Sequence, residues 1–227
     1  FALSFALTIA SVLILLLGLT ETKAPTLRGG GKGLLDLGIL GILRGNRDLL
    51  IVFISYFFYI GAMSCRLPFF AIYVSEELGL SYVELGFIVG AGGLLALFSR
   101  VSSGLLADRL GGKRVLVVAG LVRASAFLLI PFARDLVHLV GVYLLFSIFM
   151  CGPPRNALIS KITRASTRGE VFGAIGAFGD VARTLIPIPI GLIAQNLSLR
   201  ASFGTLATLT IAYVAIVSLI REPREPR

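Results

Sequence analysis

The segment SGLLADRLGGKRVL, residues 103–116, interrupts two long apolar runs with four charged side chains and three glycines. The charged residues are Asp108, Arg109, Lys113 and Arg114, and the glycines are Gly104, Gly111 and Gly112. Charged groups are costly inside hydrocarbon, whereas glycine permits tight turns and close helix packing. The segment therefore predicts a short polar turn between two helices that cross a membrane.

The composition excludes an ordinary soluble domain. Of the 227 residues, 56% are hydrophobic and only 15% are charged, and the mean hydropathy is +0.94. Soluble globular domains carry about 25% charged residues. The apolar runs approach the roughly 20 residues that a helix needs to cross a bilayer. A membrane barrel would show alternating segments of about 10 residues instead. The predicted fold class is an all-α membrane protein.

Seven spans are predicted from the apolar runs. They cover residues 1–20, 49–74, 85–103, 115–132, 136–154, 171–194 and 201–220. The fifth contains Gly152-Pro153-Pro154, and proline removes a backbone donor and clashes with the preceding turn. We therefore expect this span to bend or end near the two prolines, with residues 155–160 continuing it.

The basic residues predict the orientation. When the loops are assigned to alternating sides, fifteen of the 21 Lys and Arg fall on one side. Two, Arg134 and Arg200, fall on the other side, and four lie within spans. Basic loops collect in the cytoplasm, so we expect a multi-pass protein of the cell (plasma) membrane with a cytoplasmic C-terminus. The net charge of +9 then reflects this asymmetry and attraction to membrane lipid, and it requires no nucleic-acid partner.

The polar segment closely resembles the signature loop of the major facilitator superfamily, G-x-L-A-D-R-x-G-R-K-x-x-L. The matching residues are Gly104, Leu106, Ala107, Asp108, Arg109, Gly111, Lys113 and Leu116. Gly112 departs from the pattern, which prefers Arg at that position, while Arg114 supplies a nearby charge. The stretch PPRNALISKITRASTRGEVFG, residues 153–173, is similar to the way the tenth helix of the family leads through a basic loop into the eleventh.

The resemblance implies the C-terminal half of a twelve-helix transporter, a six-helix bundle plus one helix from the N-terminal bundle. Residues 1–20 are then the sixth helix, residues 21–48 a cytoplasmic linker, residues 49–220 the C-terminal bundle and residues 221–227 a cytoplasmic tail. The missing helices 1–5 are an expected partner, and we interpret the beginning of the chain as a truncation.

The implied function is secondary-active transport of a small-molecule substrate by alternating access. The resemblance assigns the segment to a cytoplasmic gate in which Asp108 contacts a helix end of the opposite bundle. The gate residues are Gly104, Asp108, Arg109, Gly111, Lys113 and Arg114. We expect no enzymatic activity, no catalytic residue, no cofactor and no metal site.

Charged and polar residues inside spans are the substrate or coupling candidates, because charges at mid-depth mark pathways or ion pairs. Arg66 has no acidic neighbour in its own helix, while Asp180 and Arg183 lie three residues apart on one face. Asn156 is a further polar candidate. Asp180 and Glu84 are candidates for a proton site. We expect Arg66 and the Asp180–Arg183 pair to face one hydrated cavity, although a purely structural ion pair is an equal alternative.

Three other classes of protein would each require features of their own in the sequence. A retinal-binding protein needs a lysine inside a span, and all four lysines lie in predicted loops. A membrane enzyme needs clustered nucleophiles, carboxylates or metal ligands, and the sequence offers no such cluster. The alternative that stays open is a half-size membrane binding or scaffold protein that acts only as an oligomer.

Overall fold

The computed structural model describes residues 45–221, together with Ile9, Gly41 and Leu43. The predicted first span lies outside the described residues apart from Ile9, as do most of the predicted linker and tail. The chain divides into two units, Phe1–Asp36 and Leu37–Arg227.

Eight α-helices form the described part of the chain, which contains no strand. They are α1 (Arg47–Ile72), α2 (Tyr82–Leu110), α3 (Gly112–Leu129), α4 (Leu136–Ile148), α5 (Gly152–Ile162), α6 (Arg168–Leu185), α7 (Pro187–Asn196) and α8 (Leu199–Ser218). A π-helical turn, Tyr73–Glu77, extends α1. These helices combine into six stretches that are long and apolar enough to cross a membrane. The predicted all-α membrane fold is confirmed.

The six stretches, here called the first to sixth spans, differ from the predicted ones mainly at their ends. They are Arg47–Glu77, Tyr82–Leu110, Gly112–Phe132, Leu136–Ile162, Ala165–Asn196 and Leu199–Ser218. The fourth span is α4 followed by α5, broken at residues 149–151. The fifth contains α6 and α7, with Pro187 opening α7. The predicted bend at Gly152-Pro153-Pro154 and the helical continuation through residues 155–160 are both confirmed.

Side-chain caps determine where several helices begin. Asn46 and Ser198 each accept a hydrogen bond from a backbone N–H of the first turn, of Leu49 and Ala201 respectively. Ser81 and Glu84 form a reciprocal capping box at the start of α2. The carboxylate of Glu84 therefore accepts hydrogen bonds from the Ser81 backbone N–H and hydroxyl, both at 2.8 Å.

The helices pack around two buried apolar clusters. One cluster includes Phe70, Tyr73, Phe127, Phe146 and Phe203. The other includes Leu49, Tyr56, Leu116, Ile159 and Tyr213. The sixth span packs against both α1 and α3, α2 packs against α4, and α6 packs against α1.

A close helix approach in this arrangement is made possible by Gly120 on α3. A Cβ at this position would overlap Val214 Cγ2 on α8 and lie 3.0 Å from Tyr213 Cε1. Membrane helices associate through such small residues because lipid offers no hydrophobic driving force between them.

Candidate functional site

The signature segment, residues 103–116, is more helical than the sequence predicts. Helix α2 continues to Leu110, and α3 begins at Gly112, so that Gly111 alone separates the two helices. Gly111 has a φ of 92°, in a region that L side chains rarely adopt. Asp108 and Arg109 thus lie on the last turn of α2 rather than in a polar turn. The prediction that residues 103–116 form a short polar turn is wrong for all but Gly111, because helical hydrogen bonding continues up to this residue.

Within this segment, Lys113 has a specific anchor. Its Nζ donates a hydrogen bond of 2.8 Å to the carbonyl oxygen of Ile220, just beyond the end of α8. Gly104 faces Pro153, whose Cβ would lie 3.8 Å from a Cβ added to the glycine. Asp108, Arg109 and Arg114 are exposed. The Asp108 side chain makes no hydrogen bond or ion pair with any residue that the structure describes.

The loops of the basic side meet at one end of the bundle. The Asn46 side chain donates to the carbonyl of Ile162 at 2.9 Å, and the backbone N–H of Arg221 donates to Asp48 at 3.1 Å. Together with the Lys113 bond, these contacts join the beginning of α1, the end of α5 and the end of α8 to the α2–α3 turn.

The opposite end carries the two arginines that the sequence assigned to the other side. Arg134 and Arg200 line one cavity together with Tyr73 and Leu78. Arg200 also forms an ion pair of 3.3 Å with Glu77, at the end of the π-helical turn. The separation of basic residues in the sequence therefore corresponds to the two ends of the bundle.

Arg66, the candidate on the first span, is half-buried and rests on aromatic rings. Its guanidinium carbon lies 5.1 Å from the ring centre of Tyr143 and 5.3 Å from that of Phe146, both on α4. A cation over an aromatic face is attracted by the ring quadrupole. This contact orients the positive charge without neutralising it.

Asp180 and Arg183 form the ion pair that their spacing suggests, with 2.5 Å between Arg183 Nη1 and Asp180 Oδ1. Both side chains are largely open, 50% exposed for Arg183 and 67% for Asp180. Within the described residues, no hydrogen bond or ion pair joins either one to Arg66. The structure therefore brings the pair together but does not bring Arg66 into contact with it.

Asn156 lies on α5, where it interacts with its neighbour. Its Oδ1 accepts hydrogen bonds from Arg155 Nε at 3.3 Å and Nη2 at 3.2 Å. The Arg155 guanidinium in turn lies 4.3 Å from the ring centre of Tyr56. Arg155 and Tyr56 line a narrow cavity with Tyr59, Cys151 and Tyr213.

Arg123 is one of the four basic residues within predicted spans, and its surroundings in the third span follow from no local pattern. Arg123 is only 3% exposed. Its guanidinium donates to Cys151 Sγ at 2.7 Å and to the carbonyl of Phe146 at 3.0 Å. The double proline after Gly152 was the available signal, because a broken helix leaves backbone groups that need partners.

Among the described residues, no group of three or more His, Cys, Asp and Glu side chains could hold a metal ion. Cys65 and Cys151 are both free and buried.

Comparison with known proteins identifies what the chain resembles. Its sequence matches the model of the family described as Major Facilitator Superfamily over residues 1–152 and 52–227. It is 30% identical over 184 residues to a Na(+), Li(+), K(+)/H(+) antiporter from Planococcus maritimus, and 28% identical over 191 residues to the multidrug resistance protein MdtG from Escherichia fergusonii. It is also 31% identical over 169 residues to YuxJ of Bacillus subtilis, an uncharacterized MFS-type transporter.

These similarities cover most of the chain but less than half of each relative. They include 78%, 81% and 70% of this chain for the antiporter, MdtG and YuxJ respectively. They include 42%, 47% and 41% of those three proteins in the same order.

Proposed function

Because the chain belongs to the Major Facilitator Superfamily, we propose that it forms the C-terminal bundle of a secondary-active transporter. In this proposal the transporter moves a small solute by alternating access, with two bundles rocking around a central site. The observation that carries the proposal is the signature segment joining two of six membrane-spanning stretches. The second bundle would be a partner of the six spans. This agrees with the length of the relatives, which are more than twice as long as the region that they share with this chain.

The proposed cytoplasmic gate comprises Gly104, Asp108, Arg109, Gly111, Lys113 and Arg114. Two features support a contact between Asp108 and another part of the protein. Its side chain is exposed on the last turn of α2, and it has no ionic partner in the described region of the chain. The Lys113–Ile220 bond holds the same segment against the end of the sixth span. A rigidly held carboxylate can then accept hydrogen bonds from a helix N-terminus of the second bundle.

The proposed solute and coupling residues are Arg66, Asp180, Arg183 and Asn156. Arg66 keeps an unneutralised positive charge on an aromatic platform, which suits an anionic or polar group of a solute. Asp180 is the carboxylate of this set and is open on the surface of α6. It is therefore our candidate for exchanging a coupling proton, whereas Glu84 is engaged in a helix cap.

We place the basic end of the bundle in the cytoplasm of the cell, in agreement with the distribution of Lys and Arg. Cysteine labelling tests this orientation with Glu76→Cys and Arg164→Cys, two exposed positions at opposite ends. Both native cysteines are buried, so the unsubstituted protein supplies the background. An impermeant maleimide should label Glu76→Cys in intact cells and Arg164→Cys only after lysis. The reverse pattern would overturn the orientation.

Transport itself is tested with the full-length protein in proteoliposomes that contain a pH-sensitive dye. Solutes are added one at a time under an imposed proton gradient: Na⁺, Li⁺, K⁺, aromatic cations and organic anions. At least one class should produce a proton flux above that of protein-free liposomes. Flux that is absent for all of these, with no solute uptake in the same vesicles, would contradict the proposal.

A further inference from the structure

The fourth span contains a break whose backbone groups have unusual partners. Helix α4 ends at Ile148 and α5 begins at Gly152, with Phe149 in an extended conformation. In an uninterrupted helix, the N–H of residue 150 donates to the carbonyl of residue 146. Here Met150 N–H donates instead to Ser103 Oγ at 2.9 Å. The break therefore frees backbone groups that a continuous helix would pair, among them the Met150 N–H and the Phe146 carbonyl.

The freed acceptor is the carbonyl oxygen of Phe146, and it is bound by Arg123. Arg123 Nη2 donates to this oxygen at 3.0 Å, while Nη1 donates to Cys151 Sγ on the other side of the break at 2.7 Å. One buried guanidinium from the third span thus holds both edges of the break. An unpaired backbone group inside a membrane is costly, so the bond from Arg123 to the Phe146 carbonyl stabilises the broken conformation.

The freed donor is bound from the second span, at the beginning of the signature segment. Ser103 directly precedes Gly104, which faces the first turn of α5, since a Cβ added to this glycine would lie 3.8 Å from Pro153 Cβ. The signature segment therefore contacts the break through the hydrogen bond from Met150 to Ser103, next to the place where Gly104 leaves room for Pro153. Arg66 also contacts the break, because its guanidinium rests on the ring of the same Phe146.

We propose that Ser103 and Arg123 are positioning residues of a hinge at residues 149–151, which couples the signature segment to the direction of α5. The proposal rests on the transport function proposed above. Each freed backbone group has an alternative partner, since Met150 N–H and the Phe146 carbonyl can bond to each other when the span straightens. Ser103 and Arg123 stabilise the bent state of the span, and their displacement accompanies straightening.

The first test measures hydrogen exchange at the Met150 amide in the full-length protein. Ser103→Ala removes the acceptor, and Ser99→Ala is the matched control. Ser99 is also buried on α2, one turn earlier, but its hydroxyl bonds to Leu95 within its own helix. We expect Ser103→Ala to accelerate exchange about tenfold, the equivalent of one hydrogen bond, and Ser99→Ala to leave it unchanged. Equal exchange in the two variants would overturn the assignment of Ser103.

The second test separates the backbone contact of Arg123 from its thiol contact by measuring the bend. A pair of spin labels at His138 and Arg164, both exposed, reports the distance between the beginning of α4 and the end of α5. Arg123→Gln should shift or broaden this distance distribution. Cys151→Ala should change it less, because the Phe146 carbonyl keeps its donor. An unchanged distribution in Arg123→Gln would overturn the hinge.

The third test measures solute transport with the same variants. Ser103→Ala and Arg123→Lys should lower the maximal rate about fivefold to tenfold with little change in KM, because neither residue contacts the solute. Ser103→Thr keeps the hydroxyl and should restore the rate. A raised KM at an unchanged maximal rate would overturn the positioning role. If the parent protein transports nothing, the transport function fails, while exchange and distance measurements still decide whether the hinge exists.

Discussion

The third and sixth spans differ sharply from the second and fifth in how much of each is buried within the bundle. The buried share is 50% for the most apolar stretch of the third span and 44% for that of the sixth. It is 17% in both the second and the fifth spans. Spans of comparable hydropathy are therefore either well buried within the bundle or largely exposed at its surface. Only the packing of the helices distinguishes the two kinds of span.

The sparsely buried spans present large apolar side chains to their surroundings. On α2 these include Phe87, Leu94 and Phe98, and on α6 they include Val181 and Leu185. Such faces suit lipid or a second bundle equally well by composition alone. The first span is also 50% buried, so the first, third and sixth spans hold the bundle together. The second and fifth spans leave apolar faces open to lipid or to the proposed partner bundle.

The largest effect is expected where the third and sixth spans meet. Gly120→Ala places a methyl group against Val214 and Tyr213, and overpacking of this kind costs about 1–3 kcal/mol. The matched control is Gly176→Ala on α6, where a Cβ would have no neighbour within 4 Å. Thermal unfolding in detergent should show a loss of stability for Gly120→Ala alone. Equal losses would break the distinction between the two kinds of span.

At the end of the second span, Asp108→Asn should slow transport about tenfold with little change in apparent substrate affinity. The carboxylate lies at the edge of the bundle, where it can bias a conformational equilibrium without touching solute. Because it has no ionic partner among the described residues, the unfolding temperature should stay close to that of the parent. Solute uptake measures the transport rate. Arg109→Gln should slow transport in the same way. Lost binding at an unchanged rate would contradict a gating role.

Arg66→Ala on the first span should weaken apparent substrate affinity up to about tenfold, the equivalent of one charge-assisted contact of roughly 1.4 kcal/mol. Arg66→Lys should restore part of this affinity if two-pronged recognition of an anion is involved. Tyr143→Phe is the matched control, because it preserves the ring beneath the guanidinium. Concentration dependence of uptake measures the effect, and unchanged affinity in Arg66→Ala would exclude the residue from the site.

For the open face of the fifth span, we expect Asp180→Asn to change stability by less than about 1 kcal/mol, since exposed ion pairs contribute little. The pH dependence of uptake should change in the same variant if Asp180 exchanges protons. Arg183→Gln serves as the control, because it breaks the pair and leaves the carboxylate. A large loss of folded protein in both variants, with an unaltered pH profile, would identify a structural ion pair.

The smallest effect is expected at the solvent-exposed beginning of the fourth span. The backbone N–H of His138 donates to Asp135 at 2.8 Å and lowers the pKa of this carboxyl. A lowered folded-state pKa contributes stability that is present above the unfolded pKa and is lost as the pH falls through the folded one. The difference in unfolding temperature between the parent and Asp135→Ala should therefore shrink in acid. A constant difference would show that the charge is irrelevant to the cap.

The sequence alone determined the features that depend on local composition. Hydropathy identified the six described spans because insertion in lipid depends on the apolar content of each stretch separately. Gly111 was expected to permit a tight turn because only glycine tolerates its φ at little cost. The two prolines after Gly152 predicted the break in the fourth span because they remove backbone donors. The Asp180–Arg183 pair followed from a spacing of three residues on one helix.

Only the tertiary structure decided which distant groups meet. No local pattern relates Ser103 to Met150 or Arg123 to the carbonyl of Phe146, because these contacts depend on the rotation and depth of neighbouring helices. The same is true of Arg66, which the sequence left without a partner and the fold places on Tyr143 and Phe146. Hydropathy determines that a span enters the membrane, but it is uniform around an apolar helix. Side-chain packing and the need to satisfy freed backbone groups determine which face turns inward.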